Sequence, residues 1–338
     1  MEQPKAKTNI YDVAERAGVS IKTVSRVVNN EPNVRANTRE KVQTAIEELG
    51  YMPSAAAREL TGKGSRVIGL LYENSEDFSY TNKILTAALN ACEEEGYTLV
   101  LRPFTLPNPR LAESVKQLKE NARVEGIIVL PPLADHKALR KQLKEMAMPV
   151  ALIAPKTAPK DAICVRCTDE QASYDLACFV IDRGHQRIGF IKGHPDHSAS
   201  AERFAGYLRA LKERKIELDE QLIMQGYFDY ESGKAAAKEL LSLPSPPTAI
   251  IASNDDMAAG TLFEARELGL GVPHQLSITG FDDTALASHL WPPLTTVKQP
   301  ITEMTTAATR GLIQRLQGDE PLVLEPFNCK IVVRDSTT

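Results

Sequence analysis

The sequence is marked first by what it lacks. No run of about 18 apolar residues occurs, which excludes a membrane-spanning helix. The opening MEQPKAKTN has no apolar h-region, so nothing there reads as a secretory signal, and the expected compartment is the cytoplasm. Five cysteines, an odd number, cannot all pair within a disulfide framework. Cys164 and Cys167 have C-x-x-C spacing, but no second knuckle supplies the other two ligands of a zinc site. AICVRC reads instead as a strand with its small residues on alternate faces. A formal net charge of −4 excludes a polycation. Neither a G-x-S-x-G elbow nor a G-x-x-x-x-G-K-[ST] loop is present. The paired carboxylates Asp255/Asp256 and Asp282/Asp283 are sequence neighbours, whereas general acid–base work needs groups opposed across a substrate. A sugar hydrolase or kinase therefore has no motif to stand on.

What is present is unevenly charged. Of the 338 residues, the first 66 hold 11 Lys and Arg against 8 Asp and Glu, and the rest hold 29 against 36. A locally basic end on an acidic body suggests that the end alone meets a polyanion. The length suits two or three domains at roughly 100–200 residues each.

TNIYDVAERAGVSIKTVSRVVNN, Thr8 to Asn30, carries two short helical patterns. Ile10, Val13, Ala14 and Ala17 make an apolar stripe that Gly18 ends, with Thr8 expected as the N-cap. Ser20 is expected to cap a second helix from Ile21, with Val24, Val27 and Val28 inward. Lys22, Ser25, Arg26 and Asn29 then share the outer face. A third helix is expected over Thr38–Leu49, with a capping box from Asn37 and Glu40 and a stop at Gly50. Such a unit is a helix-turn-helix, whose second helix enters the major groove by its N-terminal end. The pattern by itself equally fits a small helical subdomain with a solvated polar face.

The wording of the segment resembles one family. IYDVAERAGVSIKTVSRVVNN, continued by VRANTREKVQTAIEELGYMPSAAARELTGK, is similar to the headpiece of the lactose/galactose repressor (LacI/GalR) family. The resemblance implies that Ile21 and Lys22 read bases, that Arg26 acts one turn on, and that Tyr11 meets the DNA backbone. Thr8, Thr23, Ser25 and Asn29 complete the expected DNA-binding set. It also implies that Ser54–Leu60 is a hinge helix that folds on DNA. Leu60 would be its minor-groove wedge, and Ala57 would approach the partner subunit. Taken without the family, Leu60 reads as a linker residue.

After the polar stretch TGKGSR, apolar strands alternate with amphipathic helices. RVIGLLYE, YTLVLRPF, GIIVLPP, PVALIAP, RIGFIKG, TAIIAS and LSITGFDD read as strands. Helices are expected at Asn82–Glu95, Leu111–Asn121, Ala138–Met146, Asp169–Arg183, Ala201–Arg214, Tyr230–Leu243 and Asp255–Glu267. Continuous apolar strands with intervening helices mean parallel sheets covered on both faces. Two such blocks meet near residue 165 and imply two doubly wound subdomains with a cleft between them. GHQRIGFIKG, SAERFAGYLRAL, AIIASNDDMAAG and LSITGFDDTALASHLWPPLTTVKQP resemble the same family's core, which is like that of periplasmic sugar-binding proteins. The expected fold is thus an all-α helix-turn-helix headpiece on a periplasmic-binding-protein-like α/β core. Its expected parts are headpiece 1–52, hinge and linker 53–65, N-subdomain 66–165 plus 292–325, and C-subdomain 166–291 plus 326–338. The family pattern implies crossings near residues 165, 292 and 326.

The resemblance also implies which residues hold an effector: Arg203, Phe228, Asn254, Asp255, Asp282 and Gln299. Arg and carboxylates suit sugar hydroxyls, and an aromatic ring suits the apolar face of a pyranose. All but Phe228 have a structural alternative. Arg203 and Asp282 could form an internal ion pair, Asn254 could be a helix cap, Asp255 and Asp283 could be capping or solvated, and Gln299 could serve a crossover. On the N-terminal side, YENSEDFSYTNK lacks the proline of the family's Asn-Pro-Phe-Phe-like run. Asn74, Phe78 and Tyr80 remain candidates there, with Tyr80 taken into the expected site. His194 and His197 border the cleft and read as surface histidines, with no third ligand for a metal. No cofactor is expected beyond a small, sugar-like effector.

The expected function is a DNA-binding transcriptional regulator, a repressor of carbohydrate-utilisation genes. It would bind a palindromic operator as a homodimer under allosteric control by the effector. The chain stops at VVRDSTT, without the leucine-rich extension of family tetramers, hence the dimer. A transport binding protein is the third reading, opposed by the headpiece and the missing signal.

Overall fold

The computed structural model describes residues 8–28, 32–51, 64–74, 78–108, 110–320 and 324–338. Asn29, Ala57, Leu60 and the rest of the expected hinge helix lie outside the described residues. The chain divides into two units, Met1–Arg66 and Val67–Thr338.

The first unit contains three helices: α1 (Ile10–Ala17), α2 (Ile21–Val28) and α3 (Ala36–Leu49). Val13, Val24 and Val42, one from each, are wholly buried and meet with Ala14, Val27, Ala45 and Tyr51. The expected Thr8 cap is replaced by Asn9. Its Oδ1 accepts from the Tyr11 amide at 2.8 Å, and Asp12 accepts from the Asn9 amide at 2.7 Å, a capping box one residue later. Thr8 instead donates its hydroxyl to the Leu49 carbonyl at 3.2 Å, tying the start of the unit to the end of α3. Gly18, at φ 66°, takes the left-handed turn that a side chain would resist. Ser20 caps α2 as expected, accepting from the Thr23 amide at 3.2 Å. α3 starts two residues earlier than expected, so Asn37 and Glu40 lie inside it. Its first turn closes on the Arg35 carbonyl, with no side-chain cap.

The second unit holds two parallel sheets. The first contains β1 (Val67–Glu73), β2 (Thr98–Phe104), β3 (Gly126–Val129), β4 (Val150–Ile153) and β5 (Ile163–Val165) in the order β2-β1-β3-β4-β5. The second contains β6 (Ile188–Lys192), β7 (Ile223–Gln225), β8 (Ala249–Ala252) and β9 (Ser277–Thr279) in the order β7-β6-β8-β9. Every pairing within them is parallel. Both sheets are covered on both faces. Ile68, Leu70 and Ile128 point into one core of the first sheet, while Leu71, Ile127 and Val129 point into the other. Phe190 and Ile251 of the second sheet face Leu176 and Tyr207, and Ile191 and Ile250 face Leu240 and Met257. That two-sided burial is why the strands read as unbroken apolar runs.

Two elements go beyond the sequence pattern. β7 is only three residues, Ile-Met-Gln, with too little length for periodicity. The helix Ile301–Gln317 packs Met304, Ala308, Leu312 and Ile313 on the first sheet. Val297 still belongs to the core of the second sheet, and Ile301 to that of the first. The return crossing therefore falls between Lys298 and Ile301, later than the expected residue 292. β10 (Thr296–Lys298) pairs antiparallel with β11 (Lys330–Val332), joining the outgoing and returning crossovers. Cys164 and Cys167 pack into opposite cores of the first sheet, and all five cysteines are free thiols.

Candidate functional site

In the first unit, α2 buries Val24 and Val27 and leaves Ile21 40% exposed. Lys22 and Arg26 are exposed beside it, with Ser25 and Thr23 half-buried. Tyr11 on α1 is 67% exposed. Tyr11 and Ile21 are the large apolar side chains that the described part of this unit leaves exposed. Ile21 and Lys22 at the start of α2, Arg26 in its last turn and Tyr11 on α1 offer apolar contact, phosphate neutralisation and hydrogen bonding.

In the second unit a cavity of about 360 Å³ lies between the sheets, lined from both. Its floor is built around Arg203 on the helix Ser198–Glu213. The Arg203 Nε donates to Asp169 Oδ1 at 2.8 Å, its Nη2 lies 3.4 Å from Asp282 Oδ1, and its Nη1 donates to the Ser253 carbonyl. Burial opposes the charge, but the two aspartates hold the guanidinium protonated above its ordinary range. Gln299 donates its amide to Asp282 and accepts from the Cys167 thiol at 3.1 Å. The same thiol lies 2.9 Å from Asp169 Oδ2. Three crossover residues, Cys167, Asp169 and Gln299, thus brace the guanidinium from below. The Cys167 thiol is pushed well up by its hydrogen bond to Cys329 and by burial, so it serves as a neutral donor.

Phe228 stands beside this floor with its ring 5.7 Å from the guanidinium carbon of Arg203. Asn254 does two jobs. Its Oδ1 caps the helix Asp255–Glu267 through the Met257 amide, and its Nδ2 donates to the Phe228 carbonyl at 2.8 Å. That bond fixes the backbone of Phe228 at φ 68°. Ala154, at φ 46°, and Asp282, at φ 110°, also line the cavity in left-handed conformations. Residues other than glycine persist there only where surrounding contacts dictate them, and such strain gathers at binding sites.

Arg203, Phe228, Asn254, Asp282, Gln299 and Tyr80 all line the cavity, and so does Asn74. The side chain of Phe78 lies outside the described part. Tyr80 comes from the opposite half, and its hydroxyl is raised well above its usual pKa by burial and then by the Asp282 carboxylate. Asp255 is a correction, because it does not line the cavity. It is wholly buried behind it, accepting from the Thr284 amide, the Thr284 hydroxyl and the Thr296 hydroxyl at 2.7, 3.0 and 2.6 Å. His194 and His197 border the cleft as expected, but both line the cavity and are half-buried rather than lone surface rings. Burial, His194 and Arg203 lower the His197 pKa to about 3, which keeps its ring neutral. Asp169, Glu73, Tyr72 and Tyr227 line it too and carried no sequence signal beyond their places at strand or helix ends.

Hydrogen bonds between described residues cross the cleft. The Lys83 ammonium donates to the Asp283 carbonyl at 2.6 Å, and the Ser198 hydroxyl donates to the Ala154 carbonyl at 3.0 Å. Among the described residues no group of three or more His, Cys, Asp or Glu side chains is arranged to hold a metal ion, and no helix is long and apolar enough to cross a membrane.

Known proteins match both units. Residues 9–54 match the bacterial regulatory proteins, lacI family, and residues 177–337 match the periplasmic binding protein-like domain. The HTH-type transcriptional repressor PurR of Vibrio atlanticus (strain LGP32) is 35% identical over 318 residues, 92% of each chain. The lac repressor dimer, solved bound to operator and the anti-inducer ONPF, superposes with a TM-score of 0.81 at 30% identity, over 98% of this chain and 99% of that one. The transcriptional regulator CelR, solved as its cellobiose complex, gives a TM-score of 0.74 at 31% identity, over 97% and 99%.

Proposed function

Because the chain belongs to the lacI family of bacterial regulatory proteins, we propose that it is a repressor that binds a palindromic operator as a homodimer and takes a sugar-like effector in the cavity around Arg203. It is a DNA-binding transcriptional regulator. One helix-turn-helix reads a half-site, and a two-fold protein reads a palindrome. In this reading Ile21 and Lys22 meet base edges, Arg26 acts one turn on, and Tyr11, Thr8, Thr23, Ser25 and Asn29 position the helix. Residues 53–65 form the hinge between headpiece and core, with Ala57 facing the partner copy and Leu60 entering the minor groove. One core lobe is 66–165 with the return segment 299–325, and the other is 166–298 with the segment from 326 onward. The protein acts by binding rather than catalysis, in the cytoplasm where its operator lies.

The observation that carries the effector reading is the cavity itself. It is lined from both lobes, and its floor is a pre-paired guanidinium beside an aromatic ring. A ligand there touches Arg203 and Phe228 on one side and Tyr80 on the other, so its affinity depends on how the lobes close. The Lys83–Asp283 and Ser198–Ala154 bonds are made or lost with that closure. Closure resets the lobes that carry the hinges, and by linkage operator and effector must change each other's affinity by one factor.

The test is fluorescence anisotropy of the full-length protein on operators selected from a palindromic pool, with and without a panel of sugars, at fixed salt because phosphate contacts make affinity salt-dependent. One palindrome should bind tightly, and one sugar should shift that affinity. Absence of any preferred sequence sinks the operator reading. A preferred sequence that no sugar shifts sinks the sugar effector.

A further inference from the structure

The effector cavity has a wall longer than one sugar ring needs. From Phe228 a row of rings runs outward along it. His197 lies 5.4 Å from Phe228, His194 lies 5.2 Å from His197, and Tyr227 lies 5.7 Å from His194, centroid to centroid. The rings are tilted or edge-on to one another, so they form a stepped surface rather than a stack. All four line the cavity. The row starts at the buried Arg203 and ends at Tyr227, which is 52% exposed. This wall comes from two short segments, Gly193–His197 after β6 and Tyr227–Phe228 after β7. Gly193 is needed because a Cβ there would overlap the ring of Phe228.

A pyranose lays one C–H face on one aromatic platform. Phe228 with Arg203 provides one platform, and His194 with Tyr227 provides another nearer the mouth. His197 between them stays uncharged, so it adds a surface rather than a cation. Opposite stand Tyr72 and Glu73 of the other lobe. Burial raises the pKa of Glu73, with His194 opposing only part of that rise, and the residue lines the same cavity as the row of rings.

The charge of the lining is one-sided. Glu73, Asp169, Asp229 and Asp282 contribute carboxylates, and among the described residues the lining holds a single lysine or arginine, Arg203, already engaged by Asp169 and Asp282. A phosphate or carboxylate on the ligand would enter a field of its own sign, while neutral hydroxyls find acceptors.

Resting on the effector reading above, we propose that the effector is an uncharged carbohydrate of at least two rings, with one ring against Phe228 and Arg203 and the second against His194 and Tyr227. Sugar phosphates and sugar acids are excluded by the walls, and a monosaccharide fills only the inner place.

Isothermal titration of the full-length protein tests this with neutral disaccharides, their component monosaccharides and the corresponding monosaccharide phosphates. The matching disaccharide should bind roughly tenfold or more tighter than either component, and the phosphates weakest. Tyr227→Ala and His194→Ala, measured separately, should each narrow the ratio of disaccharide to monosaccharide affinity. A monosaccharide that binds as tightly as every disaccharide overturns the outer place and leaves the sugar-effector reading standing. Tightest binding by a phosphate overturns the charge argument. If no carbohydrate of any length binds to protein that still selects an operator, the outer place and the sugar effector fall together.

Discussion

Arg203 donates to Asp169 at 2.8 Å, and each of the two side chains is only 5% exposed. The pair lies under the cavity, and Asp282 completes it at 3.4 Å. Two carboxylates around one guanidinium are tolerable inside a protein only while the cation is there. Arg203→Ala strands both, and breaking a buried pair from one side costs about 3–5 kcal/mol. Urea denaturation should show that loss. Arg203→Lys should recover only part of it, because an ammonium is a point donor and cannot serve Asp169, Asp282 and the Ser253 carbonyl together. A loss for Arg203→Ala within the range of an exposed ion pair, about 1 kcal/mol or less, would show that the aspartates do not depend on it.

Asp255 sets a pH dependence. Burial raises its pKa from 3.8 to about 6, against the three hydrogen bonds it accepts from Thr296 and Thr284. The folded state therefore holds this proton more tightly than the unfolded chain does. Stability from this group is present below the unfolded value and is lost as pH rises through the folded one, between about 4 and about 6. Asp255→Asn cannot ionise and should flatten the stability profile across that window. Denaturant midpoints from about pH 4 to about pH 8 decide it, and equal slopes for both proteins would remove Asp255 as the cause.

Gly193→Ala probes the seat of Phe228. The added methyl would overlap the aromatic ring, while the Asn254 bond to the Phe228 carbonyl holds the backbone in place. The ring must leave its present seat. Effector affinity should fall roughly tenfold or more, while effector-free operator binding stays as it was. Equal titration curves for variant and parent would mean that Phe228 does not touch the ligand.

Lys22→Ala and Leu60→Ala separate reading from bending. A side chain on a base edge discriminates by about 1–3 kcal/mol, so losing Lys22 should relax preference at one operator position. Losing Leu60, in the wedge role proposed for it, should weaken all operators alike. Binding to a set of single-base operator variants checks both. Parallel losses across the set for the two proteins would take Lys22 off the bases.

Much of the architecture was legible because its causes are local. Gly18 and Gly50 stop helices wherever they stand, and Ser20 caps from one turn away. Ile68, Leu70 and Leu71 are apolar on both strand faces because both faces are covered. The residues that missed by one or two positions, Thr8 for Asn9 and Asn37 for Arg35, are cap sites, where a neighbour of similar chemistry or a bare carbonyl serves as well. Arg203, Phe228, Asn254, Asp282 and Gln299 were placed by resemblance rather than by any period. Asp255 shows the limit of that. Asn254 and Asp255 are adjacent, yet one lines the cavity and the other is buried behind it, because the helix starting between them turns their side chains apart.

By itself the sequence determined the three-helix headpiece, the alternation of apolar strand and amphipathic helix, and the polar outer face of the second headpiece helix, all matters of spacing within one or two turns. Only the tertiary structure decided what the cavity contains. Asp169 reaches Arg203 across 34 positions and Cys167 reaches Gln299 across 132. His194, His197, Tyr227 and Phe228 form one wall from two loops. The left-handed backbones of Ala154, Phe228 and Asp282 are held against their own preference. No local pattern encodes these, because burial between two packed sheets supplies the energy that brings such groups together.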